Sequence, residues 1–315
     1  MSANDSSFGP KRGIDRTHWL AIATAFFVTI LWSSSFVIIK FGLLEIPPLI
    51  FAGLRYSLAA LILLIAAIGM SAPRFEIKKM SKDWWTKLII YGLVYYSITM
   101  GTQFLGLAFL PALMVSFILN FTTILVVFLA FIFIHEQPNW KQLVLVIIAL
   151  VGGFFYFWPL DIYASSLIGI LIVVVSLLAN SFSAIIGRNI NRSKEVSALV
   201  VTAVSMSIGS ILLLVTGFLL TPIILLSWWG LLTIVWLSIV NTALAFTLWN
   251  KAMQRLTALE SSIINSTMLA QIAILAFFFL GEIPTVLQWI CVIIVMIAAM
   301  LIPILRTSKP SLVPQ

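Results

Sequence analysis

Two cations stand inside long apolar stretches, Lys40 in LWSSSFVIIKFG and Arg55 in PPLIFAGLRYSLAALIL. A charge in such surroundings is costly enough to require a ligand or a partner. Arg55 follows Pro48 by seven residues, which places it roughly 10 Å along a helix at 1.5 Å per residue. At that depth a planar guanidinium can take a carboxylate or phosphate in a bidentate grip. It can equally pin the carbonyls of neighbouring helices. Lys40 offers the same choice, as a point charge for an anion or as a side chain that reaches to the membrane–water interface.

Polar side chains accompany the two cations at spacings of three, four and seven, which put them on single helix faces. Tyr95, Thr99, Thr102 and Gln103 form one stripe, Ser116, Asn120 and Thr123 a second, and Ser176, Asn180 and Ser183 a third. Ser262, Asn265 and Ser266 form another, Asn241, Trp249 and Asn250 share a segment, and Trp32 precedes Ser33, Ser34 and Ser35. Serine and threonine also favour tight helix packing in membranes. The amides Gln103, Asn120, Asn180 and Asn241 ask for more, because each needs several partners.

The acids set limits. Asp5, Asp15, Glu45, Glu76, Asp83, Glu136, Asp161, Glu195, Glu260 and Glu282 all fall in loops or at helix ends. With no carboxylate at mid-membrane, an antiporter of cationic drugs, a carboxylate proton relay, a di-acid hydrolase and a divalent-metal site are all disfavoured. His18 and His135 are peripheral, so neither a Ser-His-Asp triad nor a zinc site can be assembled. No catalytic residue, metal or cofactor is predicted. Cys291 is the single cysteine, so no intrachain disulfide can form.

The elements that carry these residues follow from composition. Over 315 residues the chain is 62% apolar and only 9% charged, with a mean hydropathy of +1.16. A soluble globule is nearer one half apolar and one quarter charged, so this is an all-α polytopic membrane protein. At about 20 apolar residues per span, ten transmembrane helices are predicted: 19–41, 48–69, 87–107, 112–134, 140–158, 166–187, 197–219, 228–250, 261–280 and 287–304. The polar stripes fall on helices one, three, four, six, eight and nine, which are placed around a centre. Helices two, five, seven and ten are placed outside.

Apart from Lys40 and Arg55, every Lys and Arg lies in the two tails or in alternate loops. The net charge of +8 therefore reports membrane orientation and not nucleic-acid binding, and it puts both termini in the cytoplasm. The expected location is the plasma (inner) membrane, with multiple passes and an uncleaved N-terminus. The expected partners are a small-molecule solute and the lipid bilayer, and no residue encodes an oligomeric state.

One ungapped offset aligns the chain with itself. Ala112 falls on Ala258, Ser116 on Ser262, Glu136 on Glu282, Pro138 on Pro284 and Gln142 on Gln288; the same offset lays Leu31, Ser35 and Phe36 on Leu177, Ser181 and Phe182. The segments are thus a tail over 1–18, a five-helix repeat over 19–158, a second over 159–305 and a tail over 306–315. An odd number of spans per repeat makes the two halves inverted, the plan that lets two gates alternate around one midplane site. Lys40 and Arg55 belong to the first repeat alone, their counterparts being Ile186 and Val201. Glu136 and Glu282, each two residues before a Pro, are read as structural caps at helix junctions, with partner-swapping between gates as the sharper reading.

The stretches Leu31 to Gly42, Pro47 to Leu63 and Gly281 to Val295 (GEIPTVLQWICVIIV) resemble the EamA-type branch of the drug/metabolite transporter superfamily. The resemblance implies a duplicated ten-helix fold, a central cavity lined by helices one, three, four, six, eight and nine, and export of amino acids or related metabolites. It lays the family's first-helix residues on Trp32, Ser34 or Ser35, and Phe36, its lysine on Lys40, its second-helix arginine on Arg55 and its glutamates on Glu136 and Glu282. Ser33 and Cys291 replace usual glycines, and Thr123 and Leu269 replace usual prolines. Without those prolines, nothing in the sequence requires helices four and nine to bend.

The expected function is a secondary transporter working by alternating access that exports amino acids or carboxylates. Its substrate-binding residues are Trp32, Ser35, Lys40, Arg55, Tyr95, Thr99, Gln103, Asn120, Asn180, Asn241, Trp249 and Asn265. A carrier of nucleotide sugars or phosphorylated metabolites is the alternative within the class. A membrane-embedded lipid enzyme is the alternative outside it and lacks a nucleophile–base cluster.

Overall fold

The structure, a computed structural model, describes residues 16–134, 139–158, 164–193, 195–222, 225–253, 255–256 and 263–305. All regular elements among them are helical. They are α1 (Arg16–Gly42), α2 (Pro48–Gly69), α3 (Ser71–Lys79), α4 (Lys82–Phe109), α5 (Ala112–Asn120 continued by Thr122–Ile134), α6 (Trp140–Tyr156), α7 (Ala164–Ser193), α8 (Ala198–Leu220), α9 (Trp228–Met253), α10 (Ile263–Leu280) and α11 (Val286–Ile304). Seven contain a segment long and apolar enough to cross a membrane, namely α1, α2, α4, α7, α8, α9 and α10; α5, α6 and α11 carry shorter apolar helices.

Two features depart from the sequence reading. The connection after α2 holds a short helix, α3, whose Pro73 sits in the first turn, where a missing N–H costs nothing, and whose Ile77 packs against the cluster of Trp84, Leu88 and Val200. The third membrane helix, α4, starts five residues earlier than predicted, at Lys82 rather than Lys87. Ser81 caps it by accepting the N–H of Trp84 at 3.4 Å, and Asp83 pairs with Lys87 one turn on at 2.5 Å.

The internal repeat is visible in the irregularities of the helices. α4 is π-helical over Gly92–Thr99, and α9 is π-helical over Ile239–Leu244, the corresponding stretch of the second half. In each, a threonine hydroxyl bonds the carbonyl five residues back: Thr99 to Val94 at 2.9 Å and Thr242 to Leu237 at 2.8 Å. α5 and α10, the fourth and ninth of the helices predicted from the sequence, also break at matched positions. The N–H of Phe121 turns to Ile118 and that of Thr267 to Ile264, both at 3.1 Å. The absent prolines thus do not keep these helices straight, because a single tightened turn interrupts each one.

Without a hydrophobic drive between helices in lipid, close packing has to hold them together. α2 lies along α8 and α6 along α11, and the π segment of α4 also packs on α8. At that last crossing a Cβ on Gly209 would lie 2.4 Å from the carbonyl oxygen of Gly92, and Ser97 donates to the Gly209 carbonyl at 2.9 Å. Only glycine admits this approach.

Carboxylates fasten the two halves to each other. Glu45, after α1, accepts the N–H and the hydroxyl of Ser227 at 2.5 and 2.7 Å and so caps α9. These hydrogen bonds hold its carboxyl below the usual glutamate range. Glu76 on α3 accepts the N–H and hydroxyl of Ser197 at 2.9 and 2.7 Å, at the start of α8. Glu282 does the same for α5, as described below. Each acid sits where the exposed N–H groups and the positive dipole end of a helix favour it.

Candidate functional site

A cavity of about 300 Å³ lies between the halves. Its wall includes Trp32, Ser35, Phe36 and Ile39 of α1, Tyr95 and Gln103 of α4, Ser116, Asn120 and Thr123 of α5, Asn180 of α7, Phe246 of α9, and Asn265 and Ser266 of α10. All six helices that carry the polar stripes therefore contribute. So does α2, through Arg55 and Tyr56, although its sequence placed it outside. The lining clusters at the irregular backbone. Tyr95 is in a π segment and Phe246 just beyond the other, while Asn120 to Thr123 and Asn265 to Leu269 flank the two breaks.

Arg55 is the charged group of this wall, with 5% of its surface exposed. Its Nε donates to the Thr242 hydroxyl at 2.9 Å and a terminal nitrogen reaches the Asn241 carbonyl at 3.5 Å, while its own carbonyl accepts from Ser238 at 2.9 Å. The guanidinium lies 5.2 Å from the Tyr56 ring and 5.9 Å from that of Phe104. These partners are neutral. The arginine therefore ties α2 to the π segment of α9 and keeps its positive charge uncancelled beside the cavity.

The other expected residues divide. Trp32 faces the cavity and leans on Phe246 and Trp249, ring centroids 5.4 and 5.0 Å away, so Trp249 backs the wall without lining it. Tyr95 stacks on Tyr91 at 5.5 Å and 12°. Asn180 donates to the Thr122 hydroxyl at 3.1 Å across α7 and α5. Asn120 lines the cavity, and its Oδ1 is buried without a hydrogen-bond partner. Ser35 turns its hydroxyl to the Leu31 carbonyl at 3.2 Å, and Gln103 and Asn265 line the space.

Thr99 and Asn241 lie behind the wall. The first carries the π-helical bond and its carbonyl accepts from Ser176 at 2.8 Å; the second is fully buried and donates to the Leu31 carbonyl and to the Ser34 hydroxyl at 3.1 Å. The amide Gln271 did not figure in the sequence analysis. It joins α10 to α1 by accepting from Ser33 at 2.9 Å and donating to Thr29 at 3.0 Å. Tyr56 was also missed, since nothing in a helix ranked as outer marks one tyrosine as inward.

Lys40 lies beyond the cavity. Its ammonium donates to the carbonyls of Leu107 and Leu110 at 2.9 and 3.1 Å, at the C-terminal end of α4. On the other side of Pro111, Glu282 accepts the N–H of Ala112 at 2.6 Å and of Leu113 at 2.9 Å. Gly281, at φ 66°, ends α10 in a left-handed turn that L side chains resist, and it carries the chain round to present that glutamate. Glu282 thus caps α5 in the other half of the chain and not the helix after it. Glu136 lies outside the described residues. Leu107, Leu110 and Ala112 around this turn have at most 1% of their surface exposed, whereas Asn265 of the cavity wall is exposed.

Matched helical halves that meet at a polar cavity inside an apolar body define a membrane transport protein built from structural repeats. The chain belongs to the EamA-like transporter family, whose model matches it twice, over residues 19–158 and 167–304. This membership agrees with the drug/metabolite transporter superfamily.

Among its relatives, an uncharacterized transporter YvbV of Bacillus subtilis is 27% identical over 61% of this chain and 61% of its own length, so the chain spans less than two thirds of that relative. A second Bacillus subtilis protein, the uncharacterized transporter YoaV, is 26% identical over 80% of this chain and 84% of its own. A Salmonella typhimurium protein named a probable amino-acid metabolite efflux pump is 26% identical over 73% of this chain and 77% of its own. A crystal structure of a protein 15% identical superposes with a TM-score of 0.67 over 92% of this chain and 99% of that one, a likeness of fold alone.

Proposed function

We propose that all ten apolar segments cross the membrane as two inverted five-helix repeats, and that the chain is a secondary transporter exporting small metabolites by alternating access. The observation that carries this reading is Arg55, a buried cation held only by neutral partners at the wall of a cavity lined by both halves. Such a charge favours an anionic group on the solute. The buried Oδ1 of Asn120 asks for a donor, and Trp32 and Tyr95 supply faces for an apolar part. An amino acid or a related carboxylate satisfies all three, and a volume of about 300 Å³, at the low end for ligand cavities, suits its size. The Salmonella relative's name as an amino-acid metabolite efflux pump supports the same class. Because Lys40 is bound to carbonyls of α4, a single cation among the described residues faces the cavity, which fits a carboxylate better than the diphosphate of a nucleotide sugar.

The distribution of Lys and Arg supports cytoplasmic termini, here with the inner membrane as the location. In this reading the end towards Leu110 is closed and faces outward, and the end at Asn265 faces inward. The π segments and the breaks at Phe121 and Thr267 are the points about which the halves rock, irregular backbone being tolerated in a membrane where it borders a cavity. The test is a single cysteine at Thr123 in a Cys291→Ser background, probed with a membrane-impermeant thiol reagent. Alternating access requires labelling from the inner side in the resting state and from the outer side under outward-directed turnover. Simultaneous labelling from both sides would indicate a channel and overturn the proposal.

A further inference from the structure

We propose that α3 and the start of α4 form a docking surface for anionic phospholipid headgroups. The surface lies between two helices that are long and apolar enough to cross a membrane, so its place in the chain is the bilayer boundary. It carries Arg74, Lys78, Lys79, Lys82 and Lys87 against Glu76, Asp83 and the neighbouring Glu195, which accepts from Trp84 at 2.8 Å, and all three carboxylates are engaged. Glu76 accepts from Ser197 and Asp83 pairs with Lys87. Arg74, Lys78, Lys79 and Lys82 are exposed and form no ion pair among the described residues.

A purely solvated basic face would not include large apolar side chains, and this one does. Phe75 is 58% exposed, Met70 54% and Trp85 38%, and the Lys79 ammonium lies 4.4 Å from the Phe75 ring. Cations interleaved with exposed aromatic and apolar groups match a leaflet of phosphate headgroups over acyl chains. They match neither a free anion, which offers nothing to Phe75, nor an acidic protein, which would not lie at the bilayer boundary. The opposite face of α3 is fixed, since Pro73 is buried and Ile77 packs on the Trp84 cluster. Through Glu76 and Ser197 the helix also holds the first turn of α8. A lipid that clamps α3 therefore steadies α8. The inference rests on membrane embedding and not on the proposed substrate.

The experiment uses the full chain in nanodiscs of phosphatidylcholine alone or with about one third phosphatidylglycerol. It reads the ratio of bound lipids by native mass spectrometry, together with the thermal midpoint. The wild type retains phosphatidylglycerol preferentially and melts higher in its presence. Each cation near an anionic surface contributes a factor of roughly five, so the triple variant Arg74→Gln, Lys78→Gln, Lys79→Gln loses on the order of a hundredfold of that preference. Lys141→Gln, a single exposed lysine at the start of another helix, lowers it by no more than that one-cation factor. Salt at about 1 M abolishes the wild-type preference, a reading that needs no variant to fold, and inorganic phosphate does not compete. A wild type without preference, a triple variant that keeps it, an equal loss in Lys141→Gln, survival in high salt or competition by inorganic phosphate would each overturn the proposal.

Discussion

Lys40 and Glu282 grip the two sides of one turn. The lysine donates to the carbonyls of Leu107 and Leu110, where α4 ends, and the glutamate accepts from the N–H groups of Ala112 and Leu113, where α5 begins. One residue comes from each half of the chain, and each meets the helix end whose dipole favours its sign. In the proposed alternating-access cycle these charge-assisted hydrogen bonds, each contributing about 1.5–3 kcal/mol, hold the cavity closed at this end. Glu282→Gln or Lys40→Met shifts the protein toward opening at this end. A cysteine at Leu110 in a Cys291→Ser background reacts slowly in the otherwise unaltered protein and about 10 to 100 times faster with either change. Unchanged reactivity would mean that the clamp does not hold the seal.

Gly281→Val tests the same clamp through the backbone. The residue stands at φ 66° with no side chain within 4 Å of where a Cβ would lie, so the cost is conformational and not steric contact. A β-branched residue at this dihedral costs on the order of 1–3 kcal/mol and turns Glu282 away from Ala112. The thermal midpoint falls, and Leu110→Cys labelling rises as it does for Glu282→Gln.

The crossing of α4 and α8 tolerates no added volume. Gly209→Val forces Gly92 and its carbonyl away and breaks the bond from Ser97, a loss of at least 1–3 kcal/mol. Gly69→Ala, with nothing within 4 Å of the new methyl, stays within about 0.5 kcal/mol of the wild type. Thermal unfolding in detergent separates the two.

Glu45 gives a pH dependence. Hydrogen bonds from Ser227 lower its native pKa, so its contribution is complete above the pKa of the unfolded chain and is lost as pH falls through the lower native value. The wild type is more stable than Glu45→Gln at neutral pH. The difference shrinks from the ordinary glutamate range downward, and melting curves of both proteins between neutral pH and about pH 3 follow it. A gap that widens on acidification would contradict the assignment.

Much of this was legible in the residues. Apolar runs of the right length mark the helices, and one offset that lays Ala112 on Ala258 and Glu136 on Glu282 marks the duplication. Polar side chains at helical spacing mark the helices that meet at the cavity. What periodicity cannot carry is contact between helices distant in the chain. Arg55 is conspicuous alone, but Thr242 as its partner depends on a π turn with no composition of its own. Lys40 reads equally well as an anion site or an interfacial lysine until Leu107 and Leu110 are brought beside it. The break at Thr267 has no proline to announce it. Glu282 looked like the cap of the next helix because sequence neighbours are the only partners a sequence displays.

The most direct test of the account is efflux from proteoliposomes loaded with labelled amino acids, dicarboxylates and phosphorylated sugars, comparing the wild type with Arg55→Lys and Arg55→Gln. Flux of an amino acid or carboxylate is the expected result. Arg55→Gln should lower it at least tenfold, the loss of one charge-assisted contact of about 1.5–3 kcal/mol. Arg55→Lys should restore part of it, with folding intact by thermal melting. Flux that is indifferent to both substitutions, or flux of phosphorylated sugars alone, would contradict it.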